Sequence, residues 1–247
     1  MTGYISRNHT KKFSNEDYRK WFMNNCIPKF YNPSIHVLFN IGVLLAIIFF
    51  HFLRIEEFNQ WSFIVMLIML PVGNLTVTLI HQYPLHKRLK YWSFPYDAHT
   101  VQHHRFYTSE HILMNHKREL FVVMFPWFVV LGFATIIQPL FFYIFKILLG
   151  ANLGHVISGS AACYFVFYEF VHTSNHLPLT HVVYKIPGMK AMRDHHLIHH
   201  NPKLMGSYNM GIVFPWFDYI FGTKWKSKDI PPDNINDHFI DLEKYKE

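Results

Sequence analysis

The sequence predicts an all-α integral membrane protein with four transmembrane helices and a cytoplasmic helical cap. Three observations predict it. Hydrophobic residues make up 51% of the chain and gather in runs as long as a bilayer core is thick. The Lys and Arg residues fall almost entirely to one side of those runs. Clusters of histidine follow the ends of the runs, always on that same side.

Residues 1–34 form a polar, basic lead rather than a short apolar stretch with a cleavage site, so no signal peptide is expected. Within it "SNEDYRKWF" (Ser14–Phe22) has the pattern of a capped helix start, and Trp21 and Phe22 suit a membrane interface. The first span is Ile35–Leu53 and the second Trp61–Ile80. A cytoplasmic insert, residues 81–119, follows. Leu120–Val171 is apolar almost throughout and too long for one crossing, so it is read as two spans. Gln138-Pro139 and Gly150–Gly154 are where it is expected to turn, because Pro and Gly interrupt helices. Residues 172–247 form the rest of the cytoplasmic cap, ending in an extended charged tail of about twenty residues. Residues 1–247 thus read as a single membrane domain, with spans inside 35–171.

The net charge of +7 raises nucleic acid as a partner, but the placement of the charges excludes it. Of 23 Lys and Arg, only Arg54 and Lys146 fall in the two loops on the far side. That is the positive-inside bias, and it puts both termini in the cytoplasm. The membrane would be the endoplasmic reticulum in a eukaryote and the inner membrane in a bacterium. Cys26 and Cys163 are too far apart in sequence to suggest a disulfide framework or a zinc site. Cys163 is read as a packing residue inside a span.

The chain has 19 histidines, and their spacing is more informative than their number. His81 and His86 stand in "HQYPLH", and His99, His103 and His104 in "HTVQHH". His172 and His176 stand in "HTSNH", and His196, His199 and His200 in "HLIHH". Residues three and four apart share a helix face, so His99 should project with His103, His172 with His176, and His196 with both His199 and His200. Pro84 must break the helix between His81 and His86. An even number of expected crossings separates each cluster from the N-terminus, so all four emerge on one membrane face.

Ten imidazoles at one face suit two metal ions with five nitrogen ligands each, a dimetal site with room for water or dioxygen. Imidazole binds iron, zinc, copper and nickel. Zinc has no redox chemistry and usually closes a site with four ligands, whereas iron can activate dioxygen. Ligand imidazoles need partners for their second nitrogen, and an all-imidazole shell leaves the metal charge uncompensated. Glu169, Asp97 and Asp194 are the nearby carboxylates in sequence, with Tyr168 and Asn175 as further hydrogen-bond partners. His195, next to His196 and so rotated from it by about 100°, is expected behind the ligands rather than among them. His9, His36, His51, His111, His116, His155, His181 and His238 fall in no cluster and are read as structural.

The four clusters in this order resemble those of the fatty acid hydroxylase superfamily, the integral-membrane sterol desaturase and hydroxylase group. Its pattern is H-x(4)-H, H-x(2,3)-H-H, H-x(2,3)-H and H-x(2,3)-H-H, and the match covers residues 81–200. The stretch His199–Thr223 also looks like the segment that follows the last cluster in that family. The resemblance implies a helical bundle under a cytoplasmic helical cap and two iron ions on the ten histidines. It also implies dioxygen-dependent oxidation of a lipid drawn from the bilayer, with zinc as a substitute metal on purification. Electrons would come from a separate carrier, such as a cytochrome b5 or a ferredoxin with its reductase, and a basic face suits an acidic carrier. Acyl-chain desaturases usually carry eight histidines in three clusters, and carotenoid hydroxylases have a wider third cluster, so both are less similar.

The leading expectation is therefore a monooxygenase that hydroxylates a fatty acyl chain, a sphingolipid or a sterol. Loss of a second hydrogen at the same site would make it a desaturase. Phe49, Phe50, Phe125, Trp127, Phe165 and Phe167 could line an apolar pocket, although packing between helices is the commoner use of such rings. A membrane metal transporter or metal-binding protein is the reading from another class, and the confinement of the clusters to one face speaks against it.

Overall fold

The computed structural model describes residues 14–232. The lead before residue 14, with His9, and the tail from residue 233, with His238, lie outside the described residues. Among the described residues the structure is all-helical, with no strand. Three helices are long and apolar enough to cross a membrane: Pro33–Phe52, Gln60–Leu85 and Trp127–Leu149. Leu38, Leu45, Phe49, Phe63, Leu67, Ile136, Ile147 and Leu148 are exposed on them, as lipid-facing side chains should be. The fourth expected span falls on Ala151–Asn175, a helix of 25 residues. His155, Ser158, Ser160, Glu169 and His172 make it more polar than the other three.

Helix α1 is Asn15–Asn25, capped by Ser14, whose hydroxyl oxygen accepts from the Asp17 N–H. Helix α2 is Pro33–Phe52, capped by the Asn32 side chain, and α3 is Gln60–Ile80. The end of α3 opens into a wide turn over His81–Leu85, closed by the His86 N–H on the His81 carbonyl at 3.1 Å. Tyr83 is extended there, as expected from Pro84. Phe94–Tyr96, Asp97–His103 and His104–Phe106 run on as one helical stretch, α4, whose middle is wound wide. Helix α5 is Trp127–Leu149, α6 Ala151–Asn175, α7 Met189–His199 and α8 Trp216–Phe221.

Two sequence expectations about the long apolar run are corrected. The chain does not turn at Gln138-Pro139. The turn before it, Phe133–Ile137, is wound wide, and the Gln138 N–H reaches back to Phe133. Pro139 can then lack its N–H without ending the helix. The chain does turn at Gly150, where φ is +87° and only glycine is unstrained. The run also does not enter the span at Leu120: Leu120–Val123 is a separate short helix, and α5 begins after Pro126.

The chain divides into two compact units. One holds Asn32–Thr76 and Met124–Phe170. Its interior mixes Leu44, Val130, Val156 and Ala162 with polar side chains, among them His36, Asn40, His51, Asn74, His155 and Glu169, which are bonded inside it. The peptide of Phe125, at the break before α5, is held on both sides. Its carbonyl accepts from Asn40 at 2.8 Å and lies 2.9 Å from His36 Nε2, and its N–H donates to Glu169 at 3.1 Å. His51 and His155 bond each other through Nδ1 at 3.0 Å. The Tyr164 ring lies over Gly73 and its hydroxyl bonds Asn74 at 3.0 Å. Phe49, Phe50 and Trp127 face outward, whereas Phe125 and Phe165 pack edge to face, the commoner use of such rings. Cys163 is exposed, not a packing residue.

The other unit comprises the described chain up to Tyr31, Val77–Val123, and the described chain from Val171 on. Its apolar core is Tyr18, Phe22, Cys26, Ile27, Phe106, Tyr107, Ile112 and Val123. Phe22 is therefore a core residue and not an interfacial one, because α1 turns it onto Phe106 at 5.6 Å. Arg19 extends from α1 to the Glu119 carboxylate at 2.8 Å and to the carbonyls of His111 and Leu113.

Candidate metal centre

All ten cluster histidines lie in this second unit, and the structure brings them together in two groups of five. One group is His81, His86, His99, His104 and His199; the other is His103, His172, His176, His196 and His200. Within each group the ligand atoms lie within 4.8 Å of one another. Either group could hold a metal ion. Nine of these histidines are buried and only His86 is partly open.

The local winding decides which imidazole joins which group. In α7 the four-residue spacing keeps His196 with His200, their Nε2 atoms 2.9 Å apart, and sends His199 to the other group. In α4 the four-residue expectation fails: His99 joins His104 instead of His103. The wide turn bonds the His104 N–H to the His99 carbonyl, so residues five apart lie over each other. Each adjacent pair, His103–His104 and His199–His200, thus sends one imidazole to either group. His81 and His86 belong wholly to one group, and His172 and His176 wholly to the other.

The Nε2 atoms face inward. His81 to His99 is 2.8 Å, His81 to His86 3.2 Å, His86 to His199 3.0 Å and His99 to His104 3.1 Å. In the other group His103 to His200 and His176 to His196 are both 3.3 Å. Two nitrogens bound at about 2.1 Å to one ion and about 90° apart would stand about 3 Å from each other. In five of the ten the outer nitrogen has a backbone partner. Nδ1 lies 2.7 Å from the Met210 carbonyl in His81 and 2.9 Å from the Tyr208 carbonyl in His199. It lies 3.0 Å from the Val122 carbonyl in His103, 2.9 Å from that of Ile112 in His176 and 2.6 Å from that of Tyr107 in His200. A carbonyl can only accept, so Nδ1 carries the proton in these five and Nε2 offers a lone pair. Lone pairs converging at such distances repel unless a cation lies between them. This donor set fits a metal.

Burial, and then the nearness of the other imidazoles, pushes His86, His99, His104 and His196 well below the ordinary histidine value. Burial does the same to His103, His199 and His200. Neutral imidazole is the form that binds a metal.

The expected supporting residues are distributed differently. His195 belongs to neither group. Its Nε2 bonds Asp218 at 3.0 Å and its Nδ1 takes the Lys224 ammonium at 3.0 Å. Asp97 accepts from the Ser93 hydroxyl at 2.8 Å, and Asp194 is exposed beside Arg193 at 3.8 Å. Glu169 is buried, with one carboxylate oxygen on the Phe125 N–H and the other without a hydrogen-bond partner among the described residues. Tyr168 is buried with its ring against Phe125. Asn175 is wholly buried, and neither end of its amide has a hydrogen-bond partner among the described residues. Of the histidines read as structural, His116 and His181 cap short turns.

Sequence reasoning missed Asp218 and Glu119. Asp218 is fully buried and accepts from Met210 N–H, Gly211 N–H, Thr223 and His195. Burial pushes its carboxyl up, but the hydrogen bonds from His195, Thr223 and Gly211 outweigh that and hold it at about 2. One signal was present: Asp218 is the only charged residue in "IVFPWFDYIF". Glu119 accepts from Arg19, Tyr107 and the Asn115 N–H.

No family model matches this chain, and no curated protein or solved structure matches it.

Proposed function

We propose that this chain is a membrane-embedded di-iron oxygenase of the fatty acid hydroxylase type, which hydroxylates a C–H bond of a bilayer lipid. The observation that carries the reading is the pair of five-histidine groups, each drawing imidazoles from α4 and from the end of α7, with the candidate ligand atoms of each group within 4.8 Å of one another. His81, His86, His99, His104 and His199 would hold one ion, and His103, His172, His176, His196 and His200 the other. Two iron ions there would supply dioxygen activation and removal of hydrogen from an unactivated C–H bond, using electrons from a separate carrier protein.

The protein's own part is to hold and orient. The carbonyls of Met210, Tyr208, Val122, Ile112 and Tyr107 fix the tautomer and tilt of five ligands. Burial keeps the imidazoles neutral. The Asn175 amide, on the helix that carries His172 and His176, is a buried donor and acceptor for a small polar ligand. The exposed apolar faces of the three long helices suit a substrate that arrives through the bilayer. A transport path finds little support, because His36, His51 and His155 in the other unit are bonded within it.

The test is expression of wild type and His200→Ala in a host supplied with an electron donor, followed by lipid mass spectrometry. The expected result is a lipid heavier by one oxygen that disappears in His200→Ala. Loss of two hydrogens would replace hydroxylation by desaturation. Metal uptake into sealed vesicles with no lipid change under several donors would overturn the reading in favour of transport.

A further inference from the structure

We infer that Asp218 and Glu119 are positioning residues, each serving one of the two histidine groups, so that the two metals can be loosened independently. This rests on the dimetal reading above and adds an asymmetry to it.

The first group is held from the chain after the last histidine cluster. His81 and His199 direct Nδ1 to the carbonyls of Met210 and Tyr208. These lie in a sharp loop in which Asn209 has φ of +56°. Asp218 grips that loop from behind, taking Met210 N–H at 2.7 Å and Gly211 N–H at 2.8 Å. Thr223 and His195, at 2.6 and 3.0 Å, fix the carboxylate in turn. The fit leaves no room at residue 211: a Cβ on Gly211 would lie 2.5 Å from the Phe214 carbonyl oxygen and 2.8 Å from Asp218 Oδ2. The two faces of the Met210 residue therefore join a buried carboxylate to a ligand imidazole.

The second group is held from the chain after α4. His200 and His176 direct Nδ1 to the carbonyls of Tyr107 and Ile112. Glu119 grips this loop through the Tyr107 hydroxyl at 3.0 Å and the Asn115 N–H at 3.1 Å. Arg19 pairs with Glu119 and also holds the carbonyls of His111 and Leu113, on either side of Ile112. Neither carboxylate bonds a residue of the other's loop among the hydrogen bonds described. Loss of such outer partners typically lowers metal affinity about 10- to 100-fold.

The experiment is a competitive chelator titration of cobalt(II) on the detergent-solubilised full chain, with far-ultraviolet circular dichroism as the control for folding. Asp218→Asn and Glu119→Gln keep side-chain volume and remove the charge. Each is combined with His104→Ala, which damages the first group, and with His196→Ala, which damages the second. Asp218→Asn is expected to weaken the remaining metal about 10- to 100-fold in the His196→Ala chain and to leave it unchanged in the His104→Ala chain. Glu119→Gln should show the opposite pattern. Thr223→Val and Tyr107→Phe, which each remove one bond to the carboxylate, should shift the same metals by less and serve if the charge variants misfold. Equal weakening in both backgrounds, or none in a helical protein, overturns the inference while leaving the dimetal reading intact. A wild-type chain that binds no cobalt overturns both.

Discussion

His196 and His200 show how much a single position decides. Their four-residue spacing is legible in the sequence, and so is the face they share. The fate of His99 was not legible, because i,i+4 reasoning assumes ordinary winding and the chain is wound wide over Asp97–His103. All of these imidazoles share an energetic consequence. His86, His99, His103, His104, His196, His199 and His200 are held neutral below their ordinary value of 6.5. In the unfolded chain they would take up protons near 6.5, while in the folded metal-free chain they do not. The unfolded state then binds more protons, and stability rises with pH in that range. Metal-free protein should therefore lose stability steadily as pH falls through about 6.5 and be insensitive to these groups above about pH 8. Thermal unfolding in chelator across that range checks it, and a midpoint that rises on acidification would contradict it.

The elements follow the apolar runs, and what the runs conceal is where they break. Hydropathy alone located the first two spans, because a helix in lipid needs a continuous apolar surface. It could not separate Leu120–Val123 from α5, since both are apolar. The break is fixed by distant polar side chains, His36, Asn40 and Glu169, that converge on one peptide. Nor could it see that Gln138-Pro139 passes smoothly, which depends on the wide turn before it. Packing between α3 and α6 is as specific. The Tyr164 ring atoms lie 2.5–2.9 Å from where a Cβ on Gly73 would be. Gly73→Ala should cost about 1–3 kcal/mol by overpacking. Tyr164→Phe, which loses only the bond to Asn74, should cost about 0.5–1.5 kcal/mol. Thermal unfolding in detergent measures both, and a neutral Gly73→Ala would show that the helices pack less closely than this.

Across the entire chain, histidines separated by up to 119 positions, from His81 to His200, converge into two sets. The sequence could name these ten because their spacing repeats in four clusters. It could not name the carbonyls and carboxylates behind them, because Asp218 and Glu119 act through backbone loops that no spacing rule connects to the ligands. The division into two groups of five is the claim on which the proposed chemistry depends. Its most direct test is the metal content of the purified full-length chain after anaerobic loading with ferrous iron, measured by mass spectrometry alongside protein concentration. The account predicts two ions per wild-type chain and one in each of His104→Ala and His196→Ala, with none in the double variant. One ion or none in the wild type, or full occupancy in the double variant, would contradict it.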